Sequence, residues 1–408
     1  MSMDIEKQLF STALGISKPI FIEDIRFEES ELHIYLNFYR GAEFSCPVCG
    51  CQHQAYDTEV KIWRHLNFFQ YKSFLHFPTP RIDCPSCGIH RYSPEWTRPQ
   101  SGFTLLFEAF IITLVRGGLP FSELKKLTGE NDTRLRRIVD YYVDKSYMEK
   151  DFSGVTEVAV DETSSKKGHK YITVFINQED KSVLFATTGK DSETIKRFAD
   201  ECPKHGLNPD EIKEISMDMS VPFQAGVANY LPEANITFDK FHVVKLLNDA
   251  VDKVRRSEQK LNPLLQKSRY VWLKNRENLT AKQLEKLQDL ENENLQTAEA
   301  YRLKITFQDI YDNIQCAETA EFLLKSWIKH VLNSGLEPLI DFSKTLLRHF
   351  DGVIRYFKIH ITNGISEGIN SIIGQIKRRA KGYSNVRNFI NMIYLIKGNL
   401  SLPSFSFA

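Results

Sequence analysis

Two cysteine knuckles constrain this chain more than any other feature of its sequence. The run CPVCG at 46–50 recurs as CPSCG at 84–88. Each run separates two thiols by two residues and ends in a glycine, which permits the tight turn of a knuckle. Four thiolates satisfy a tetrahedral Zn²⁺, and zinc binding folds a segment too small to fold alone. Four thiolates leave no position open for a substrate, so we expect a structural Zn²⁺ held by Cys46, Cys49, Cys84 and Cys87.

The stretch between the knuckles also has a definite pattern. Its 34 residues, 50–83, exceed the usual ribbon spacing. Residues 61–77 alternate between aromatic and polar side chains, which predicts a β-hairpin. Cys51 and His53 lie beside the first knuckle and stay open as alternative ligands.

Length and composition bound the class of protein. At about 100–200 residues per domain, 408 residues predict two to four domains. With 42% apolar and 26% charged residues, the chain is neither wholly disordered nor collagen-like. No apolar run approaches the ~18 residues that span a bilayer, and the start of the chain lacks the order of a signal peptide. We therefore expect no membrane partner and a cytoplasmic, nucleoid-associated protein, whose cysteines are ligands or core residues.

The net charge of +1 results from cancellation between segments of opposite sign. Residues 1–45 contain eight acidic and four basic side chains, whereas residues 355–397 contain eight basic side chains and one acidic. The near-neutral total therefore excludes only a uniformly basic nucleic-acid coat. A dense basic cluster in the second segment indicates contacts with DNA phosphates; its members are Lys377, Arg378, Arg379 and Lys381.

A helix-turn-helix is predicted after the ribbon. Helical stretches at 103–115 and 121–127 precede a glycine-containing turn and a helix over 132–143, for which Asp132 is the expected N-cap. A short helix, a turn and a basic helix fit DNA reading in the major groove, although any small helical bundle shows a similar pattern. We expect DNA contacts from Arg134, Arg136 and Arg137.

From residue 155 the hydrophobic period becomes that of strands. Strands at 155–161, 171–176 and 182–187 predict an antiparallel meander, and strands at 214–218 and 235–239 alternate with helices. This is the order of an RNase H-like fold with aspartates at strand ends. Clustered carboxylates repel one another unless a cation neutralises them, which indicates hard divalent metals.

The last third of the chain is helical. Residues from about 240 to 340 have leucines spaced for amphipathic helices, and both an insertion into the α/β domain and a separate coiled coil fit that spacing. In the following helix, isoleucines at 361, 365, 369, 372 and 376 share one stripe. The opposite side can face both a metal and phosphates; it contains Asn363, Glu367, Asn370, Gly374, Arg378 and Lys381.

In this order the motifs resemble the zinc-ribbon DDE transposases of the bacterial insertion-sequence family ISL3. Besides the ribbon and the helix-turn-helix, the resemblance rests on VDE at 160–162, MDMS at 217–220, FDKFH at 238–242, TNGISEGIN at 362–370 and KRRAKGY at 377–383. It implies an RNase H-like core, Mg²⁺-dependent strand cleavage and joining, and terminal inverted repeats as the substrate. The catalytic triad of the family falls on Asp161, Asp218 and Glu367.

The implied chemistry uses two Mg²⁺ (or Mn²⁺) ions about 3.5–4 Å apart, bridged by Asp161 and flanked by Asp218 and Glu367. Asp239 and His242 match an Asp-x-x-His motif of related transposases. His242 either holds the scissile strand or orients Asp239, which is itself a further metal ligand or a helix cap. The partners would be double-stranded DNA, as element ends and as target, and a second protomer, because two ends must be brought together.

We therefore expect a multidomain α+β and α/β chain with an all-helical insertion in its RNase H-like core. The expected domains are a zinc-ribbon segment at 1–100, a helix-turn-helix at 101–150, the first part of the core at 151–245, the insertion at 246–345 and the C-terminal core helices at 346–408. Two other functions use the same motifs. One is a non-catalytic zinc-ribbon and helix-turn-helix regulator, and the other is a structure-specific nuclease.

Overall fold

The computed structural model describes residues 5–166, 170–293, 295–359 and 364–405. The chain divides into two compact units, Met1–Ser146 with Ser401–Ala408, and Tyr147–Leu400. Each unit is built around its own apolar cores. Within the described ranges, no helix combines the length and the apolar character needed to cross a membrane.

The first unit opens with a helix and a six-stranded sheet. The elements are α1 (Ile5–Leu14), β1 (Ile20–Glu28), β2 (Glu31–Phe38), β3 (Glu43–Ser45), β4 (Gln52–Phe68), β5 (Tyr71–Cys84) and β6 (Gly88–Arg91). The strand order is β1-β2-β5-β4-β3, with β6 paired to β5. The antiparallel pair β4 and β5 confirms the hairpin expected between the knuckles. The sequence analysis did not foresee β1 and β2, which extend this hairpin into a full sheet.

The alternation of side chains gives this sheet one buried face. Leu32 and Ile34 of β2 are buried, and the residue between them, His33, is only partly buried. Leu75 and Phe77 of β5 continue the same core. Full burial of one such side chain contributes about 1.5–3 kcal/mol. The alternation that predicts the hairpin therefore also places apolar side chains on one face, where their burial stabilises the sheet.

Three helices follow the sheet, and they confirm the predicted order of the helix-turn-helix. They are α2 (Leu105–Arg116), α3 (Phe121–Thr128) and α4 (Asp132–Met148). Gly129 ends α3 in the left-handed region, at φ 71°. The expected N-cap of α4 is wrong, because Asn131 Oδ1 accepts the N–H of Thr133 at 2.9 Å. Asp132 lies in the first turn instead, where its charge favours the helix dipole.

A buried arginine joins the sheet to these helices. Arg64 on β4 is 1% exposed, and its Nε lies 3.6 Å from the carboxylate of Glu130 in the turn between α3 and α4. Its guanidinium also lies over the ring of Phe107, 5.3 Å from the centroid. Breaking such a buried pair by removing one partner costs about 3–5 kcal/mol. This contact therefore fixes the turn against the sheet.

The second unit contains a five-stranded mixed sheet. Its elements are β7 (Glu157–Lys166), β8 (Lys170–Asn177), β9 (Val183–Thr188), α5 (Ser192–Glu201), β10 (Glu214–Met217), α6 (Val221–Tyr230) and β11 (Asn235–Phe238). The strand order is β11-β10-β7-β8-β9, antiparallel over β7-β8-β9 and parallel over β7-β10-β11. The expected meander is confirmed. The expected end of its first strand at Asp161 is wrong, because β7 stays paired with β8 as far as Lys166.

A group of helices packs around one common core beside this sheet. They are α7 (Lys240–Glu258), α8 (Arg269–Leu273), α9 (Ala281–Glu291), α10 (Gln296–Asn313), α11 (Ala317–Leu332), α12 (Glu337–Arg348) and α13 (Phe350–Ile359). Leu287 and Leu290 are buried in the core that also contains Phe238 of β11. The leucine spacing noted in the sequence therefore reflects packing into a shared core rather than a two-stranded coil.

Two further helices complete the second unit, α14 (Gly364–Arg379) and α15 (Val386–Lys397). The predicted isoleucine stripe of α14 is partly wrong. Its buried residues are Ser366, Ile369, Ile373 and Ile376, so Ile373 takes the place expected for Ile372. Both sets fit a helical period of 3.6, so the periodicity alone does not decide between Ile372 and Ile373. Residue 361 of the stripe lies outside the described residues.

Candidate metal and catalytic sites

The two knuckles come together at one end of the hairpin. The Sγ atoms of Cys46, Cys49, Cys84 and Cys87 all lie within 4.8 Å of one another, and those of Cys49 and Cys84 are 3.6 Å apart. Four sulfurs bound tetrahedrally to zinc at 2.3 Å lie about 3.8 Å apart. The cluster therefore fits a structural Zn²⁺. The alternative ligands Cys51 and His53 are not part of it.

The backbone around the first knuckle favours a thiolate. Backbone hydrogen bonds from Cys49 and Val48 lower the pKa of Cys46 to about 7. Gly50 and Gly88 follow their knuckles at φ 77° and 84°, which a residue with a Cβ adopts only with strain. The local sequence therefore builds the turn of each knuckle and favours the thiolate of Cys46. In contrast, the hydrogen bond with the Cys49 thiol raises the pKa of Cys87 to about 12.

Three aspartates lie at the same level of the second sheet. The register places Glu157, Glu214 and Asn235 side by side on β7, β10 and β11. Asp161, Asp218 and Asp239 each follow four residues later along the chain. Adjacent strands are about 4.8 Å apart. The parallel register therefore brings these three carboxylates to one edge of the sheet.

Asp161 lies on β7, the central strand of the five. Its Oδ1 accepts the backbone N–H of Glu162 at 2.7 Å, and its Oδ2 accepts a hydrogen bond from Asn370 Nδ2 at 2.6 Å. Burial raises the pKa of Asp161, and the negative charges of Asp239 and Asp218 raise it further. A positive charge placed among these carboxylates would reverse that shift.

Asp239 forms a pair with the histidine of its motif. Asp239 is 5% exposed, and its Oδ2 lies 2.9 Å from Nδ1 of His242. Its Oδ1 accepts the N–H of Phe241 at 3.1 Å and so caps α7. The hydrogen bond to Asp239 raises the pKa of His242, and the charges of Asp161 and Asp218 act in the same direction. Asp239 is thus a helix cap and a histidine partner at once.

Glu367 lies near this group but not inside it. It is exposed in the first turn of α14, and it lines a cavity together with Asp239. Asn370, one turn further along the helix, makes the contact with Asp161. Among the described residues, the four cysteines form a group of His, Cys, Asp or Glu side chains whose ligand atoms all lie within 4.8 Å of one another. No other group of three or more such side chains in those residues meets this distance. The carboxylates of Asp161, Asp218 and Glu367 are thus more widely spaced than that.

The donors at the sheet edge fit a hard divalent cation. They are carboxylate oxygens, the ligands that Mg²⁺ prefers, and burial disfavours the charged form of Asp161. Asn370 Oδ1 adds a buried amide oxygen with no hydrogen-bond partner among the described residues. A buried polar atom left in this way costs free energy unless a ligand satisfies it. Asp161, Asp218 and Glu367 would hold the metal, and Asp239 remains open as a further ligand.

Two of the three arginines expected to contact DNA have partners within the first unit. Arg134 pairs with Glu130, and Arg136 lies 2.8 Å from Asp132. Arg137 is exposed and has no ion pair in the described part of the chain. Of the three arginines, Arg137 is therefore the one whose charge is free of an ion pair among the described residues and available to a phosphate.

The C-terminal basic cluster divides in a similar way. Lys377 Nζ donates to the carbonyl oxygen of Ser164 at 2.7 Å and so ties α14 to β7. Arg378, Arg379 and Lys381 are exposed, and no ion pair is found for them among the described residues. Asn363, also expected to contact DNA, lies outside those residues.

Sequence reasoning missed two parts of the site. Glu162 was not singled out, yet burial and the charge of Asp218 raise its pKa; its position directly after Asp161 was the available signal. Asn370 was expected to contact DNA, whereas its amide binds Asp161. Nothing in the local sequence around Asn370 indicates that contact.

Comparison with known proteins agrees with these sites. A family model described as a transposase of the ISL3 group matches residues 158–393. A model of the helix-turn-helix domain of ISL3 transposases matches residues 93–143, and a model of the zinc finger of the IS204, IS1001, IS1096 and IS1165 transposases matches residues 42–87.

Two curated relatives extend the match over most of the chain. The transposase of insertion sequence element IS1001 from Bordetella parapertussis is 28% identical over 84% of this chain and 86% of its own length. The transposase of IS1557 from Mycobacterium tuberculosis is 23% identical over 95% of each chain. Zinc finger, helix-turn-helix and DDE modules in one chain define an insertion-sequence transposase. The chain belongs to the ISL3 family of transposases.

Proposed function

We propose that this transposase binds the terminal inverted repeats of an insertion sequence and catalyses metal-dependent cleavage and transfer of DNA strands. The single observation that carries the proposal is the common level of Asp161, Asp218 and Asp239 at one sheet edge. The strand order of that sheet also supports an RNase H-like core with Glu367 as its third catalytic carboxylate. The helical segment 246–345 would then be the insertion.

The side chains of the site have separate roles in this mechanism. Asp161, Asp218 and Glu367 would hold Mg²⁺ or Mn²⁺, and we propose two ions. Bound there, the ions would activate the attacking hydroxyl and stabilise the leaving 3′-oxygen. The N–H of Glu162 fixes Asp161 at 2.7 Å, and the N–H of Ser220 fixes Asp218 at 3.0 Å. The protein needs no covalent nucleophile.

His242 and the basic side chains would hold the DNA. Because Nδ1 of His242 faces Asp239, its Nε2 is left to donate a hydrogen bond to a phosphate oxygen of the scissile strand. Arg378, Arg379 and Lys381 supply charge for the flanking phosphates. Zinc would keep the ribbon folded, and Arg137 would contact the DNA end from the helix-turn-helix. Joining two ends requires two protomers, so we expect a homodimer on DNA.

The test is cleavage of a duplex that carries the terminal inverted repeat from the DNA flanking the gene. Asp161→Asn should abolish Mg²⁺-dependent cleavage and leave binding of the duplex nearly unchanged. Asp249→Asn is a matched control, because Asp249 is exposed on α7. Undiminished cleavage by Asp161→Asn would contradict the proposal. A wild type that binds the duplex and never cleaves it would favour the non-catalytic regulator.

Strand transfer separates a transposase from a nuclease. The protein is incubated with pre-cleaved ends that carry a 3′-hydroxyl and with a target plasmid. Joined products are expected, and light scattering of the complex should show two protomers. Cleavage of the repeat without any joining would assign a structure-specific nuclease instead.

A further inference from the structure

A cavity of about 300 Å³ adjoins the proposed catalytic carboxylates. Asp239 and Glu367 form part of its lining, so it is continuous with the site already described. Its other walls come from α7, α10, α13 and the segment after α8. A group held in this cavity would therefore lie directly beside a DNA strand bound at the carboxylates.

One wall of the cavity is apolar and contains an exposed aromatic ring. Phe241, Val244 and Tyr356 form this wall, and Phe241 is 53% exposed. A single exposed apolar side chain is ordinary on a protein surface. Phe241 differs because its N–H is bound to Asp239 at 3.1 Å, which fixes its backbone beside the carboxylates. Its ring also packs against His242 at 5.6 Å with planes at 81°, so one partner already orients it.

Two other lining residues offer planar hydrogen-bonding groups. Gln308 Nε2 donates to Asn275 Oδ1 at 3.2 Å, and both residues line the cavity. This bond leaves Asn275 Nδ2 as a donor and Gln308 Oε1 as an acceptor, with no other partner in the part of the chain that the structure describes. A neighbouring donor and acceptor on two hydrogen-bonded amides match the edge of a nucleobase.

The charge of the lining excludes a phosphate as the occupant. Asp239, Glu367 and Asp312 line the cavity, and its one lysine, Lys240, is paired with Asp312. The remaining charge is negative, so an anion would be repelled. A flat, neutral ring with polar edges can stack on the aromatic side chain and bond to the two amides. It also carries no negative charge that the acidic side chains would repel. The phosphate of the same nucleotide would stay outside, with the metal and His242.

We propose that this cavity receives one unpaired nucleobase of the DNA end, stacked on Phe241 and bonded by Asn275 and Gln308. The inference rests on the proposed function, since it needs a DNA end at the carboxylates. Taking a base out of the duplex costs a few kcal/mol of stacking and pairing, and stacking on an aromatic side chain offsets part of that cost. The ring would thereby hold the strand open next to the scissile phosphate.

The test compares paired and mismatched substrates. On a fully paired terminal-repeat duplex with Mg²⁺, Phe241→Leu should cleave about 10- to 100-fold more slowly than the wild type, because leucine keeps apolar volume but has no ring face. Phe241→Tyr should cleave at close to the wild-type rate. A mismatch at the unpaired position should restore most of the activity of Phe241→Leu, since the cost of unpairing is then already met. A purely structural role would not respond to the mismatch.

Phe322→Ala is the matched control, because Phe322 is 70% exposed on α11 and does not line the cavity; it should cleave as the wild type does. A second readout needs no metal. In EDTA, 2-aminopurine placed in turn at each position flanking the cleavage site should gain fluorescence at one position with the wild type, and less with Phe241→Leu.

Each outcome either favours the inference or overturns it. Equal rates for Phe241→Leu and the wild type overturn it, and so does a defect of the same size on paired and mismatched ends. If the wild type binds the repeat but never cleaves it, the proposed function fails instead. In that case the 2-aminopurine signal still decides whether a base enters the cavity.

Discussion

Asn370 Nδ2 donates a hydrogen bond to Asp161 Oδ2 at 2.6 Å, although the two residues are 209 positions apart in the chain. The bond ties α14 to the centre of the sheet, one helical turn beyond Glu367. Through this bond, Asn370 sets both the orientation of the Asp161 carboxylate and the position of the helix that carries Glu367. Residues that orient metal ligands in this way typically change metal affinity or activity by 10–100-fold when replaced.

We therefore expect Asn370→Ala to raise the Mg²⁺ concentration needed for cleavage and to lower the rate by about 10-fold or more. Binding of the terminal-repeat duplex should be unchanged, because the amide faces Asp161 and not the DNA. Titration of cleavage with Mg²⁺, next to a DNA-binding assay, measures both effects. Asn333→Ala, at the exposed end of α11, is the control. A loss of DNA binding with an unchanged metal requirement would instead favour the phosphate contact expected from the sequence.

The cysteine cluster predicts a zinc content that depends on single thiols. Cys46→Ser or Cys84→Ser should lower bound zinc from about one ion per chain to nearly none and unfold the ribbon. Cys51→Ser is a close control, because Cys51 is exposed beside the knuckle but is not in the cluster. Elemental analysis of the purified variants gives the answer. Equal zinc loss in Cys51→Ser, or no zinc in the wild type, would refute the assignment.

A partly buried histidine predicts a loss of stability in mild acid. Burial lowers the pKa of His65 from 6.5 to about 4, and its Nδ1 lies 2.9 Å from Thr104 Oγ1. The folded state therefore resists protonation, while the unfolded chain takes up a proton near pH 6.5. The contribution of neutral His65 is complete above that pH and decreases as the pH falls towards 4.

From pH 7.5 to 5 the free energy of unfolding should accordingly fall by about 2 kcal/mol through this residue. Urea unfolding of the wild type and of His65→Gln at both pH values isolates the effect, because glutamine does not titrate. Other acid-sensitive groups, including the zinc thiolates, affect both proteins alike. If the two proteins lose the same free energy, this origin is excluded.

Two helical glycines predict opposite effects of the same substitution. A Cβ on Gly352 would lie 2.5 Å from the ring of Phe238, whereas a Cβ on Gly368 would meet nothing within 4 Å. Gly352→Ala should therefore destabilise the protein by about 1–3 kcal/mol, as overpacking does. Gly368→Ala should stabilise it by roughly 0.5–1 kcal/mol, because alanine favours the helix. Thermal melting of both variants checks the pair, and shifts of the same sign would contradict the close approach of Gly352 to Phe238.

Local patterns explain why several features could be predicted from the sequence. A CPxCG knuckle is a short-range turn, so its residues alone determine where its two thiols lie. The alternating run before Cys84 predicts the hairpin that brings the second knuckle to the first, and the cluster of four sulfurs agrees with it. The strand and helix order of the second unit follows from the same kind of periodicity.

The sequence-based predictions were wrong where two neighbouring residues could take the same role, or where a nearby residue could pair with the predicted one. Either Asn131 or Asp132 can cap a helix, and only the backbone path shows that Asn131 accepts the N–H of Thr133. Arg134 and Arg136 looked available for DNA, but carboxylates four positions earlier in the chain, Glu130 and Asp132, pair with them.

By itself, the sequence predicted the four cysteines that cluster and the order of the zinc-finger, helix-turn-helix and transposase modules, because each depends on residue type and short spacing. Only the tertiary structure decided which of these side chains meet. The level of Asp161 and Asp218 depends on strand register, and the bond from Asn370 to Asp161 depends on packing across 209 positions. The cavity beside Phe241 depends on five separate segments. Such contacts arise from burial and pairing between distant parts of the chain, which no local pattern encodes.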